Sequence, residues 1–406
     1  MNNGFSDQIR SPLKEEIETV FPSKAHSSLK SFLAAMFLAV FAATANDAAA
    51  CTSWIIHRGV TRSGRMIVQK VLDQYRRDGR LKAEMCVAPN GWRWMCIGNP
   101  NYAMNEKGVV MTTNDGDGVA QRHPDDGIRQ RFGPFAMNRL VMTGCSTAEQ
   151  GVAKILDIGR NRLAAQGGIY FIADPKRAFM ININYGYAEV AELTNGLVVI
   201  TNTWHLPGGE EFSTKTINGG RGDRAREANT RSALQQSKTD GKYTVRGCID
   251  TSRRRCGTKF NEMYPFRKGE KVLSLSSVCF ELDDEFPGFL SCAYIAMGPQ
   301  QHTVFIPTPM ALERFPEKFA DGTWSRRAFS HQDAVGSDHA ALPRMRELED
   351  KFLAEFDAAR EQARTMLREG KKSEAVKLLN DLFRRHYAEA DKLMSELDAE
   401  ATKSPR

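Results

Sequence analysis

Between residues 168 and 201 the chain alternates short apolar segments with turn-forming stretches, and this punctuation limits the fold more than any other feature. Ile169–Ala173, Ala178–Asn182, Ala188–Leu193 and Leu197–Thr201 are divided by Asp-Pro-Lys-Arg, Asn-Tyr-Gly-Tyr and Thr-Asn-Gly. Connectors this short hold a hairpin turn but not the dozen or so residues of a parallel crossover. The four segments therefore read as an antiparallel β-meander.

The same signature recurs elsewhere. Residues 51–72 read as a hairpin, with β-forming Cys51-Thr-Ser-Trp-Ile-Ile-His57, a turn at 58–64 and a second strand from Arg65 to Leu72. Val109–Thr113 is a strand leaving the loop Met104-Asn-Glu-Lys-Gly108. Val272–Glu281, Ser291–Met297 and Thr303–Ile306 add three more. Helical spacing marks 146–165, opened by Ser146, Thr147 and Glu149 as a cap, and 223–236. Beyond Leu342, Leu348, Phe352, Phe356, Leu378, Leu382, Leu393 and Leu397 place apolar residues at helical spacing around Gly370, the pattern of an amphipathic pair packed on the domain. Short antiparallel strands with a few helices predict a layered α+β fold, not a doubly wound nucleotide binder.

Ahead of the first strand lies an uncharged apolar run at residues 31–45, preceded by Lys24 and Lys30 and ending in Ala48-Ala49-Ala50 before Cys51. A positive flank, a short apolar core and an Ala-x-Ala site are the marks of a secretory leader, and the run falls short of the roughly 20 apolar residues that span a bilayer. Residues 1–50 are thus expected to be a signal peptide, with 51–340 as the main domain and 341–406 as a helical segment. The product is expected to be exported, periplasmic or secreted. A lipoprotein site is the rival reading; it normally has Leu where Ala48 stands.

Cleavage there would leave Cys51 with a thiol and a free α-amine on one residue. The thiol, ordinarily about 8.5, attacks as thiolate, and the amine, at about 7.7–8.0, is the backbone group that serves as a base near neutral pH. One residue then supplies nucleophile and base.

Composition narrows the partners. The chain has 56 Lys and Arg against 49 Asp and Glu; four and five of these lie in the first 50 residues, leaving 52 against 44. That excess is modest and scattered, so nucleic acid is not expected as a partner. No Cys-x-x-Cys, His-Glu-x-x-His, acidic calcium loop or phosphate-binding glycine loop is present, so neither metal nor cofactor is expected. Cys248 and Cys256 bracket an Arg-rich loop and are one candidate disulfide; Cys86 and Cys96 are another. Trp92, Trp94 and Tyr102 are candidates for lining an apolar pocket or for the core. His57, His123, His205 and His302 lack a papain-type surrounding signature.

Around Cys51 the order of residues resembles the cysteine N-terminal nucleophile (Ntn) hydrolases, in particular the choloylglycine hydrolase and penicillin V acylase group, the acyltransferases of 6-aminopenicillanic acid and the related cysteine dipeptidases. The residues that carry it are Cys51-Thr, Gly64, Lys70-Val-Leu-Asp73, Met104-Asn-Glu-Lys-Gly108 with its following strand to Asn114, Thr201-Asn202, and an Arg in Gly220-Arg-Gly-Asp-Arg-Ala-Arg226, best matched by Arg224 with Arg221 as runner-up. The likeness runs from Cys51 to about Pro309. It implies a four-layer αββα sandwich of antiparallel sheets, here with a C-terminal helical extension.

It also implies roles. Cys51 attacks an amide carbonyl; Asp73 orients its amine or thiol; Asn202, with Asn114, donates to the oxyanion; Arg224 holds the network or a substrate carboxylate; Lys70, in place of the family's Arg, favours thiolate by its charge. Lys70 and Asn114 are also taken as substrate-binding. Asn105 and Glu106 are expected to shape their loop. Asn182 stands where relatives commonly have an acid, so substrate choice does not transfer. The function implied is exported hydrolysis of linear amides through a Cys51 acyl-enzyme, with a dipeptidase or acyltransferase of the same superfamily as the alternative, and a lipid-anchored binding protein as the rival from another class. The substrate would be a small-molecule amide or short peptide, contact with a membrane would require lipidation, and a homo-oligomer is compatible with the sequence.

Overall fold

Cys51 opens the expected hairpin. β1 (Thr52–Ile56) pairs antiparallel with β2 (Met66–Gln74), Thr52 opposite Val71 and Ser53 opposite Lys70. All five residues of β1 are buried, so it needs a neighbour on both edges. The computed structural model describes residues 51–74, 81–98, 102–116, 131–209, 221–254, 273–336 and 340–403. The expected leader, His123 and Cys256 lie outside these.

Seven strands form one sheet in simple sequence order: β3 (Ala83–Val87), β4 (Arg93–Ile97), β5 (Tyr102–Asn105), β6 (Val110–Asp115), β7 (Gly168–Ala173), β8 (Ala178–Asn184) and β9 (Tyr187–Glu192). The meander expected at 169–201 stops here after three strands. Its fourth segment, β10 (Leu197–Ile200), pairs with β1 in the other sheet instead of with β9. Gly196, at a φ of 71°, turns the chain, and its carbonyl accepts from His57 N–H at 2.9 Å, which fixes β10 against the far end of β1. The second sheet then runs β10-β1-β2-β11-β12-β13, with β11 at Leu273–Leu282, β12 at Cys292–Met297 and β13 at Ile306–Pro309. The last strand begins where the sequence reading, 303–306, had it end.

Alternation along the strands sorts side chains into three cores. Ile55, Val68, Leu72, Val278 and Phe280 of the six-stranded sheet meet Met95, Tyr102, Met104, Ile169 and Phe171 of the seven-stranded one. On the outer face of the latter, Ala103, Met111, Tyr170 and Ile172 pack on α1 (Pro134–Gly144) and α2 (Ala148–Arg160) through Met137, Val141, Val152 and Ile155. On the outer face of the former, Trp54, Ile56, Ile67 and Val71 share a core with residues of α3 (Arg221–Gln236) and α4 (Val245–Ser252). The layers therefore stack as helix, sheet, sheet, helix, the αββα sandwich expected. Further along, α5 (Thr323–Val335) buries Trp324 and Phe329 in the inter-sheet core.

The C-terminal segment forms α6 (Leu342–Arg368) and α7 (Lys372–Lys403), turning at Gly370 with a φ of 79°. Phe356, Ala359, Leu379 and Leu382 join the outer core of the six-stranded sheet. Buried ion pairs fasten α6 to β11 and to the turn beyond it: the Arg360 guanidinium contacts Glu281, and Arg364 contacts Asp283.

The suggested Cys86–Cys96 disulfide is not formed; both are free thiols. In the β3–β4 register Cys86 faces Trp94 and Cys96 faces Glu84, so the two are diagonal neighbours. Diagonal pairs lie about 7–8 Å apart at Cα, beyond the span of a relaxed disulfide.

Candidate active site

Cys51 sits at the head of β1, between the ends of β10 and β2, and is 2% exposed. Each polar group of this residue has its own partner. Its backbone N–H donates to Asn202 Oδ1 at 3.0 Å. Its carbonyl accepts from Arg226 Nη2 at 3.2 Å. Its sulfur is hydrogen-bonded by Lys70. Burial pushes the thiol above its ordinary range; Lys70, by charge and hydrogen bond, pulls it back, while Asp115 and Asp73 add to the rise.

Lys70 is fully buried between the sheets. Its ammonium donates to the Thr113 carbonyl and to Asn114 Oδ1 at 2.6 Å, and it lies beside the Cys51 sulfur. Asn114 is equally committed: Oδ1 also accepts from Ser53 Oγ at 2.7 Å, and Nδ2 donates to the Thr201 carbonyl at 2.7 Å. These two residues, expected to bind substrate, tie β1, β2, β6 and the end of β10 together. A polar group between two packed sheets must find partners there. Asp73 is buried and accepts from Ser274 Oγ at 2.6 Å, across the β2–β11 pair where the register shifts by a bulge.

Asn202 lies just past β10. Besides receiving Cys51 N–H, its Oδ1 accepts from Arg226 Nη2 at 3.1 Å, and its Nδ2 donates to the Asp115 carbonyl at 2.8 Å. It therefore meets Cys51 as an orienting acceptor for the nitrogen. The expected arginine, Arg224, is exposed and is not among the groups around Cys51. Arg226 takes that place, fully buried, with Asp223 Oδ1 receiving from Nη2 at 2.6 Å. The reason is helical phase. The face of α3 turned to the sheet carries Arg226, Thr230, Ala233 and Leu234, all buried, and Arg224 falls on the opposite face. Counting back by four and eight from Leu234 in the sequence would have found it.

Around this centre, Asn182 is buried, and its carboxamide oxygen accepts from the His205 and Leu206 N–H groups at 3.1 and 3.0 Å, holding the segment after Asn202. Trp204 packs edge-on against Tyr187 at 6.4 Å. The loop at 104–108 is shaped by Asn105 as expected: Oδ1 accepts from Lys107 and Val109 N–H, and Nδ2 donates to the Met142 and Cys145 carbonyls. Trp92, Trp94 and Tyr102 do not form one pocket. Tyr102 lies between the sheets, bonded to Ser276 Oγ; Trp94 faces the α1–α2 layer; Trp92 is half-buried under Lys107. Among the described residues no group of three or more His, Cys, Asp or Glu is arranged to hold a metal ion.

No family model and no curated protein matches the chain. Among solved structures it is similar to two forms of the conjugated bile acid hydrolase of Clostridium perfringens. One, a mutant, is 12% identical, with a TM-score of 0.40 over 61% of this chain and 89% of that one. The other, a variant, is 11% identical, with a TM-score of 0.41 over 64% and 92%. It is also similar to penicillin V acylase from Agrobacterium tumefaciens, at 12% identity and a TM-score of 0.38 over 61% and 84%.

Proposed function

We propose that this protein is an exported amide hydrolase whose nucleophile is Cys51, made N-terminal by cleavage after Ala50. The observation that carries the reading is that nitrogen, carbonyl oxygen and sulfur of this one residue are each held by a different part of the chain: Asn202, Arg226 and Lys70. A cysteine that only fills a core needs no such set.

The chemistry follows from the placement. Once the peptide before Cys51 is cut, its nitrogen becomes an α-amine still facing Asn202 Oδ1. The Arg226 cation beside it disfavours ammonium and so favours the neutral base. Burial holds the thiol protonated at rest. On attack, sulfur bonds to the amide carbon while its proton passes to the amine, directly or through one water. The tetrahedral oxyanion collapses, the C–N bond breaks, and the ammonium returns its proton to the leaving nitrogen. Water then attacks the thioester, releasing the acid and restoring the thiol. Lys70, beside the sulfur throughout, favours the anionic states of sulfur along this path.

The test is a panel of amides, comprising N-acyl amino acids, dipeptides, penicillin V and a glycine-conjugated bile salt, assayed with mature protein and with Cys51→Ala. Turnover by the mature protein alone supports the proposal. Equal turnover by Cys51→Ala, or a mature terminus that starts elsewhere or carries lipid on the Cys51 sulfur by intact mass, overturns it.

A further inference from the structure

Helix α3 presents two adjacent residues to the active-site end of β10, and only one of them, Arg226, reaches Cys51 directly. The other, Glu227, has one carboxylate oxygen that accepts three hydrogen bonds: from Thr201 N–H at 2.9 Å, from Thr201 Oγ1 at 2.9 Å and from His205 Nε2 at 2.9 Å. Between those two anchor points lies Asn202.

The arrangement answers a need of the sheet. Among the described residues β10 is an edge strand, so every second residue turns its N–H and C=O away from β1 with no described strand to meet them. Leu197 and Thr201 are two such residues. α3 runs antiparallel to the strand and supplies both with side chains four residues apart: Arg231 Nη1 donates to the Leu197 carbonyl at 2.8 Å, and Glu227 accepts from Thr201 N–H. The far end of this clamp touches nothing near Cys51. The near end fixes the residue immediately before Asn202 and, through His205, the turn after it. Glu227 is 15% exposed and His205 25%, so this end is partly shielded from water.

On the reading that Cys51 is the nucleophile, we infer that Glu227 is a positioning residue of the active site: by holding both sides of Asn202 it sets the carboxamide oxygen that orients the Cys51 nitrogen. Glu227 is not among the groups acting on the Cys51 sulfur, so its removal should disturb the aim of the base and leave substrate binding intact. A misplacement of about 1 Å in such a group lowers turnover by as much as about 100-fold.

The experiment compares Glu227→Ala, Glu227→Gln, Arg231→Ala and Cys51→Ala on the amide from the panel that the mature protein hydrolyses best, with thermal unfolding followed in parallel. Glu227→Ala is expected to lose about 10- to 100-fold in kcat with KM unchanged. Glu227→Gln keeps an oxygen for both Thr201 donors and is expected to recover most of the loss. Arg231→Ala, which opens the same helix–strand junction at its other end, is expected to keep its kcat even if it unfolds earlier. Wild-type kcat in folded Glu227→Ala, or an equal kcat loss in Arg231→Ala, overturns the inference while leaving Cys51 in place. Retained turnover in Cys51→Ala instead overturns the hydrolase reading itself.

Discussion

Replacing Lys70 with Met separates the electrostatics of the site from the stability of the fold. Lys70 is the cation hydrogen-bonded to the Cys51 sulfur, and it opposes the upward push of burial, Asp115 and Asp73 on the thiol. Without it that push is unopposed, so the thiol rises further and anionic sulfur becomes rarer at any given pH. A hydrogen bond to a charged group contributes about 1.5–3 kcal/mol, and about 1.36 kcal/mol is tenfold, so kcat/KM should fall about 10- to 100-fold. Stability should respond differently. The Thr113 carbonyl and Asn114 Oδ1 lose a donor, although Asn114 keeps Ser53 Oγ. Against that, a fully buried ammonium no longer has to be stripped of water, and Met has a similar length. The two effects nearly cancel, leaving a net change of about 1–2 kcal/mol of either sign. The assay is kcat/KM against pH for wild type and Lys70→Met, beside thermal unfolding of both. An unchanged pH profile and rate in the folded variant would refute the argument, as would a loss of activity accounted for by unfolding.

Two further substitutions test the frame around the site. Arg360→Met leaves the buried Glu281 carboxylate without the guanidinium that contacts it, with Tyr294 Oη donating at 3.3 Å, and should cost about 3–5 kcal/mol, read as a fall in Tm. Burial pushes the Glu281 carboxyl up, but the charges of Arg360 and Arg65 outweigh it and hold it below its ordinary range. Its contribution is therefore complete above the unfolded value of about 4.3 and disappears as pH falls through the lower folded value, so Tm of the wild type should drop in acid and that of Arg360→Met should drop less. Gly116→Ala would bring a Cβ to 2.3 Å from the Trp204 ring, two residues from Asn202. Overpacking of this kind costs about 1–3 kcal/mol, and the displaced indole should change both tryptophan fluorescence and kcat; wild-type values of both would contradict the packing.

Much of the site was legible because its residues sit at the ends of strands with strong local signals. The 51–72 hairpin is written in two β-rich runs around a polar turn, and it alone places Cys51 near Asp73. Asn202 is carried by the family resemblance of Thr201-Asn202 at the end of an apolar segment. What sequence could not show depends on relations between distant elements. Turn signals at 194–196 announce a reversal but not which edge the next strand joins, and the choice of β1 over β9 is made by a strand buried on both faces. Arg224 and Arg226 differ by two positions, half a helical turn, and only the phase of α3 distinguishes them. The strands at 83–97 carry no legible alternation, because Cys, Met, Arg and Glu break it, and at Thr303–Ile306 the apolar run begins before the pairing does.

The buried lysine is the part of this structure that stability explains least. Burying an ammonium carries a desolvation penalty of several kcal/mol, ordinarily offset by a carboxylate in contact. Arg360 and Arg364 obey that rule, with Glu281 and Asp283 as partners. Lys70 does not: its hydrogen bonds go to a backbone carbonyl, a carboxamide and a thiol, all neutral. The penalty is offset more fully only if one of the three becomes negative, and the thiol is the one that ionises. A charge placed where it is costly at rest and favourable once the sulfur is anionic acts on the reacting state more than on the resting one. On the proposed reading, that asymmetry ties Lys70 to the chemistry of Cys51, and it is absent from Cys292, whose nearby Arg360 is already neutralised by Glu281.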